Sequence, residues 1–348
     1  MTSVQPNTFA PMGDRLAGEA AGRIADGRLL IPFGIPFLDD YLLGLSPSDL
    51  VLIGAPSGVG KTELALAIAT NNAQAGRPSH FFALEAAPLE LERRRKYQLI
   101  SREARRTKLP GVERLRFRPW MFGMCEDIVG GLNAWADRKI REEFGQLHTF
   151  YRDRSFTAED LGKEILKIHR HTTLIVVDHL HYIDSNDENE NRALGETTKI
   201  IRDITLNIKK PIVLVAHLRK KDERAKKLVP DLDDIHGSSN VPKIATQTVF
   251  LEHAHDVDSG KWWLSPTYMA IRKDRMEGAP RFVALMNFNK LTRSYGDGYT
   301  LGRLKGPSKW EEIEIGDRPE WAERHRSLAQ PTQKPFGPQF TQELPEAP

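Results

Sequence analysis

The stretch Gly54-Ala55-Pro56-Ser57-Gly58-Val59-Gly60-Lys61-Thr62 constrains this chain more than any other part of it. It stands between a short apolar run, DLVLI at 49–53, and an Ala/Leu-rich segment at helical period, ELALAIATNNAQA at 63–75. A strand, a glycine-bearing loop and a helix in that order make a phosphate-binding loop. Such a loop turns successive backbone N–H groups inward, which demands small side chains and permissive φ. It also opens a helix, whose N-terminus attracts anions. Lys61 then reaches the β- and γ-phosphates of a nucleotide and Thr62 ligates magnesium. One position is out of register. The pattern G-x-x-x-x-G-K-[ST] puts its first glycine at 55, where this chain has Ala55, and Gly54 comes one residue early. We expect Gly54 to serve close packing at the strand exit and Ala55 to begin the loop with φ < 0.

The segments that follow alternate between strand and helix. HFFALE (80–85), TLIVVD (173–178), PIVLVAH (211–217), TVFLEH (248–253), YMAIRK (268–273) and FVALMNF (282–288) read as strands. Residues 88–147 read as mostly helical, with a basic cluster Arg93-Arg94-Arg95-Lys96. SFTAEDLGKEILKIHRH opens on a Thr157 cap signal with Leu161, Ile165 and Ile168 on one face, and a further helix is expected near 190–209. Near-continuous Val/Ile/Leu strands separated by helices predict an α/β core: a mostly parallel sheet covered on both faces. The last strands follow one another without helices, so one edge is expected to be antiparallel. Before this core, Leu16, Ala20 and Ile24 form a thin stripe on a short helix within 14–26 that could pack on its own core or on a neighbouring subunit. Seven prolines fall in the final 46 residues, and residues 303–348 read as a disordered tail. The expected domains are therefore a leader over 1–29, a core over 30–302 and this tail.

Charge and cysteine content narrow the chemistry. Fifty basic residues against 47 acidic leave no global field, so nucleic-acid affinity would have to come from local patches. A single cysteine, Cys125, excludes an intrachain disulfide and a cysteine zinc cluster, and fits a reducing cytosol. No signal peptide is evident, and no apolar run approaches the ~20 residues of a membrane span. A cytoplasmic protein without a membrane partner is expected.

Three further places carry chemistry. Asp178 ends a buried strand, the Walker B arrangement, in which a carboxylate holds magnesium through water. His179 and His181 follow it; two histidines two apart on a loop read as surface or catalytic-loop residues more readily than as a metal site. Glu85 ends another strand, where in a parallel sheet it could orient or deprotonate an attacking water, or simply cap a helix. LRKKDERAKK at 218–227 holds six basic residues against two acids and reads either as a nucleic-acid contact or as a solvated charged loop.

Taken in order, GIPFLDDYLLGLSPSDLVLIGAPSGVGKTELALAIATNNA, FFALEAAPLELERRR, TLIVVDHLHYI, PIVLVAHLRKK, DIHGSSN and AIRKDRMEG resemble the motor domain of DnaB-like hexameric replicative helicases, a RecA-like branch of the phosphate-loop ATPases. The resemblance covers roughly residues 30–295. It implies a RecA-like core that uses ATP and Mg2+, with Ala55, Pro56, Ser57, Gly58, Val59, Gly60, Lys61 and Thr62 around the nucleotide. It implies Thr62 and Asp178 at the metal and Glu85 as catalytic glutamate. The family's sensor glutamine maps to His217, a departure that would make the sensor's charge depend on pH. The family's Lys-x-Arg, which reaches into the neighbouring subunit's ATP site as a finger, maps to Lys273 and Arg275, two apart and so on one face of a strand. Pore loops that track single-stranded DNA map near Arg219, Lys220, Lys221, Arg224, Lys226 and Lys227, and to Gly237, Ser238 and Ser239. The implied partners are single-stranded DNA and further copies of the chain in a ring, a hexamer by resemblance. The Pro-rich tail would suit a protein partner. About 30 residues before the motor are too few for the family's N-terminal collar domain. Two other readings stand beside this one: a RecA-like regulatory ATPase that switches a protein partner, and, less well supported, a strand-exchange recombinase.

Overall fold

Leu50 and Leu52 face one side of a sheet and Val51 and Ile53 the other, and all four are buried. That double burial is why strand β1 (Leu50–Ala55) is apolar throughout instead of alternating. The computed structural model describes residues 9–322, except 17, 186, 188, 219–226, 236–239 and 297.

The other strands are β2 (Ser79–Ala83), β3 (Leu147–Tyr151), β4 (Leu174–Asp178), β5 (Ile212–His217), β6 (Gln247–His253), β7 (Leu264–Asp274), β8 (Phe282–Asn289), β9 (Ser294–Tyr295), β10 (Thr300–Leu304) and β11 (Trp310–Glu312). They join in one sheet of order β11-β10-β8-β7-β6-β1-β5-β4-β2-β3, with β9 beside β8. From β6 to β3 every pairing is parallel, and from β6 outward to β11 every pairing is antiparallel. The expected parallel sheet with an antiparallel edge is what forms.

The helices are α1 (Glu19–Arg28), α2 (Pro36–Leu42), α3 (Lys61–Gln74), α4 (Glu90–Arg106), α5 (Phe117–Met121), α6 (Glu126–Glu143), α7 (Ala158–Ile168), α8 (Glu190–Ile208) and α9 (Asn240–Ile244). On one face α3 packs Leu64, Ala65 and Ile68 against Val51, Ile53 and Val213; on the other α7 and α8 pack Leu161, Ile165 and Ile201 against Leu52, Ile175 and Leu214. The Thr157 signal is a full capping box, with the Thr157 hydroxyl accepting from Asp160 N–H and the Asp160 carboxylate from Thr157 N–H. Helices α4 to α6 enclose a smaller core of Tyr97, Ile100, Leu115, Trp120 and Val129. No described helix is long and apolar enough to cross a membrane.

Two expectations need correction. Residues 147–151 are an edge strand; the helical reading ran up to its first residue and missed the rest. Residues 303–322 are not a tail: β11 closes the sheet edge, Ile313 and Ala322 are buried, and Trp321 lies against the rings of Phe37, Tyr41 and Phe282. Residues 323–348 lie outside the described residues. Trp262 is exposed in the turn before β7, with the Arg116 guanidinium 4.5 Å above its ring. Helix α1 takes up only the later part of the expected stripe: Ala20 and Ile24 lie on it, while Leu16 ends a separate 3-10 turn, Met12–Leu16; neither element buries a side chain, and Leu16 and Ile24 are exposed.

Candidate functional site

The chain leaves β1 at Ala55, turns through Pro56–Gly60 and enters α3 at Lys61. Gly58 and Gly60 hold φ of +85° and +104°, a region that favours glycine. Ala55 is not among the positive-φ residues, so alanine costs the loop nothing there. Gly54 does serve packing: a Cβ at that position would sit 2.5 Å from Phe250 Cε1 and 3.0 Å from Leu218 Cδ2. We therefore expect Gly54→Ala to lower the unfolding free energy by about 1–3 kcal/mol in urea titrations. Ala55→Gly is expected to cost less than about 1 kcal/mol; equal losses for the two would refute this division of labour.

Behind the loop, the first turn of α3 is held by a buried carboxylate. Glu63 takes Arg94 Nη1 at 2.8 Å, Arg293 Nε at 3.0 Å and Gln98 Nε2 at 3.3 Å. The Tyr295 hydroxyl donates to Val59 O at 3.2 Å and lies where a side chain on Gly60 would be. Neither brace is visible in the loop motif itself. Glu63 directly after Lys-Thr is a sequence signal, but its arginine partners come from α4 and from the turn between β8 and β9.

Parallel pairing brings the carboxyl ends of β1, β4, β2 and β5 together, and the chemistry collects there. The Thr62 hydroxyl donates to Asp178 Oδ1 at 3.3 Å. Asp178 is buried, and that burial pushes its carboxyl up to about 7 against the pull of Thr62 and Lys61. Burial also lowers Lys61, opposed by Asp178 and Glu85. A hydroxyl and a carboxylate set close together are hard oxygen donors of the kind magnesium takes. A buried carboxyl lifted this far lacks enough positive charge around it, and a divalent cation would supply it. Thr62 and Asp178 thus fit the metal expected of them.

Glu85 lies just past β2, and the structure gives it an unforeseen partner. His179 Nε2 is 2.5 Å from Glu85 Oε2, and the Tyr182 hydroxyl donates to Glu85 Oε1 at 3.4 Å. His179 is 4% exposed and its imidazole is pushed down to about 3, by burial first and then by Lys61 and the neighbouring histidines. The contact is therefore a hydrogen bond from a neutral imidazole rather than an ion pair. Its backbone is left-handed, with φ of 73°, which is uncommon for a residue with a side chain, and its ring meets Glu85 just past β2. His217 ends β5 opposite Ala55, its ring 4.6 Å from that of His179 and 5.8 Å from that of His181. Its backbone N–H approaches His181 Nδ1 at 3.5 Å. One ligand-type atom from each of Glu85, His179 and His217 lies within 4.8 Å of the others.

Lys273 and Arg275 are not brought to this cluster within the chain. The register shift in the β6–β7 pairing falls at Arg272, before Lys273, and Arg275 lies one residue beyond the end of β7. Lys273 Nζ donates to Pro242 O at 2.8 Å, Lys243 O at 2.7 Å and Ala245 O at 2.7 Å, closing the carboxyl end of α9. Arg275 is exposed, tied through its backbone N–H to Thr246 O at 3.0 Å. Of the expected nucleic-acid contacts, Lys227 pairs with Asp234 at 3.4 Å. Arg219, Lys220, Lys221, Arg224, Lys226, Gly237, Ser238 and Ser239 lie outside the described residues.

Residues 31–295 match the DnaB-like helicase C terminal domain family. Similar proteins include the "Probable plasmid replicative DNA helicase" of Chlamydia psittaci, 24% identical over 268 residues that cover 76% of this chain and 55% of that protein. The replicative DNA helicase DnaB of Geobacillus stearothermophilus is 22% identical over 276 residues, 76% of this chain and 57% of that one. The chain spans about half the length of the curated relatives it matches. Among solved structures, a DnaB-like replicative helicase studied with primase aligns over 83% of this chain and 67% of its own, with a TM-score of 0.65 at 16% identity. A KaiC-like protein of the archaeon Pyrococcus horikoshii aligns over 77% of this chain and 98% of its own, with a TM-score of 0.51 at 16% identity. A match across three quarters of the sequence, on the fold and loop just described, decides the family: the chain belongs to the DnaB-like helicase C terminal domain family.

Proposed function

We propose that the chain is an ATP-hydrolysing motor that assembles into a ring, as a hexamer, and translocates on single-stranded DNA. The observation that carries this reading is the meeting of Lys61, Thr62, Asp178 and Glu85 at the carboxyl ends of adjoining strands. Lys61 and the loop N–H groups bind the phosphates, and Glu85 accepts a proton from the attacking water. Mg2+, held by Thr62 and Asp178, neutralises charge on the phosphate oxygens when bound. His179 fixes the direction of the Glu85 carboxylate, and its Nε2–H must yield that oxygen as the water loses its proton. Arg275, exposed at the end of β7, is the group we assign to the neighbouring subunit's nucleotide. Lys273, with three carbonyls around its ammonium, serves as the anchor that fixes β7 to α9. Helix α1 with its unburied Ile24, and the preceding turn with Leu16, form the segment available for the subunit next to it. The basic run 219–227 and the segment 237–239 are assigned to the DNA strand.

The test is ATP turnover with and without single-stranded DNA over a range of salt. Stimulation is expected, and the DNA concentration that gives half of it should rise steeply with salt; contact with six phosphates would give a log–log slope of roughly 4. Turnover that no DNA or RNA alters would transfer the ATPase to the switching of a protein partner.

A further inference from the structure

The two histidines beside Glu85 do more than the proposed hydrolysis needs. The rings of His179 and His217 stand 4.6 Å apart beside a carboxylate that lies at the surface. Their ligand-type atoms and a Glu85 oxygen fall within 4.8 Å of one another. Zinc bonds of about 2.0–2.2 Å set tetrahedral edges of roughly 3.3 Å, so small side-chain rotations would close the triangle. His179 is 4% exposed, yet its Nδ1 has no hydrogen-bond partner. A buried polar nitrogen left unspent beside two other donors marks a place built for something further. Two imidazoles and one carboxylate, with a fourth position open to water, are the donor set of zinc and its neighbours, whereas magnesium prefers the all-oxygen pair Thr62 and Asp178. The single cysteine excludes a thiolate cluster but not this site.

We propose that Glu85, His179 and His217 form a second metal site, selective for a borderline transition-metal dication such as Zn2+, and that its occupancy switches hydrolysis off. Bound to the ion, the Glu85 carboxylate gives up charge to the dication and becomes a much weaker base toward water. The inhibitory half rests on the ATPase reading above; the binding half does not.

Binding is therefore measured first, on the full chain with nucleotide absent, using Zn2+ in equilibrium dialysis and Co2+ as the absorbing probe. Zn2+ is expected to bind in the presence of excess Mg2+ and to weaken roughly 10–100-fold or more in His217→Ala and in His179→Ala. A His253→Ala/His255→Ala double variant, altered at a histidine pair elsewhere, should bind as the parent does. Thermal unfolding accompanies each variant; should His179→Ala fail to fold, His217→Ala and Glu85→Gln carry the comparison. A parent chain that takes no Zn2+, or a folded His217→Ala that takes it equally well, overturns the site. Zn2+ is then titrated into ATP turnover at saturating Mg2+. Turnover should fall along the binding curve and return on chelation; unchanged or raised turnover with Zn2+ bound overturns the switch. A chain that binds Zn2+ but never hydrolyses ATP would instead count against the ATPase reading alone.

Discussion

Replacing Arg275 by alanine is expected to lower ATP turnover by roughly 10³–10⁵-fold while leaving nucleotide affinity within a few-fold of the parent. That loss corresponds to roughly 4–7 kcal/mol of transition-state stabilisation. Arg275 is exposed, and its backbone is tied to Thr246 while its own phosphate loop lies across β6 and β1. On the proposed reading, its charge acts on another copy's nucleotide. Mixing supplies the decisive measurement. Rings made from Arg275→Ala chains and Lys61→Ala chains, each inactive alone, contain interfaces with a sound loop on one side and a sound arginine on the other. They should regain part of the activity. Mixed rings as inactive as either parent, or an Arg275→Ala chain with full turnover, would refute action between subunits. Lys273→Ala should behave differently, because its ammonium is committed to the end of α9.

Glu85→Gln is the second large effect, a fall in turnover of roughly 10²–10⁴-fold with ATP binding retained. Glutamine keeps the shape and can still accept the His179 Nε2–H through its carbonyl oxygen, but it cannot take a proton from water at neutral pH. The substitution therefore separates the two roles of the carboxylate, holding its place and acting as a base. Single-turnover hydrolysis measures the chemical step directly. A Glu85→Gln chain that hydrolyses ATP within tenfold of the parent would move the base elsewhere.

What the sequence displayed and what it hid divide along a physical line. Strands β1, β4 and β5 are buried on both faces, so they are continuous apolar runs, and the residues ending them, Ala55, Asp178 and His217, could be placed before any coordinates. β3 is half-exposed at the sheet edge, and His148 and Thr149 break its apolar pattern. β11 follows Gly306-Pro307, which looks like the start of a tail. Its Trp310 packs where a side chain on Gly302 would have to go, a match that neither segment announces alone. At the site, the motifs gave Lys61, Thr62 and Asp178 their neighbours because loop and strand geometry is local. The link from His179 to Glu85 was hidden. It depends on one left-handed residue and on the pairing of β2 with β4, which joins Ala83 to Asp178 across the sheet.

The Tyr295 brace has a consequence for how the chain matures. Val59 and Tyr295 are 236 residues apart in sequence, so the motif that looks most self-contained is finished by one of the last strands to be made. Contacts of such long sequence separation form late, after a large loop has been closed. During synthesis the glycine loop emerges early, while the hydroxyl that steadies it arrives only when the antiparallel edge docks. The support of the loop is thereby coupled to the docking of β9 on β8, and a chain interrupted before β9 carries the motif without it.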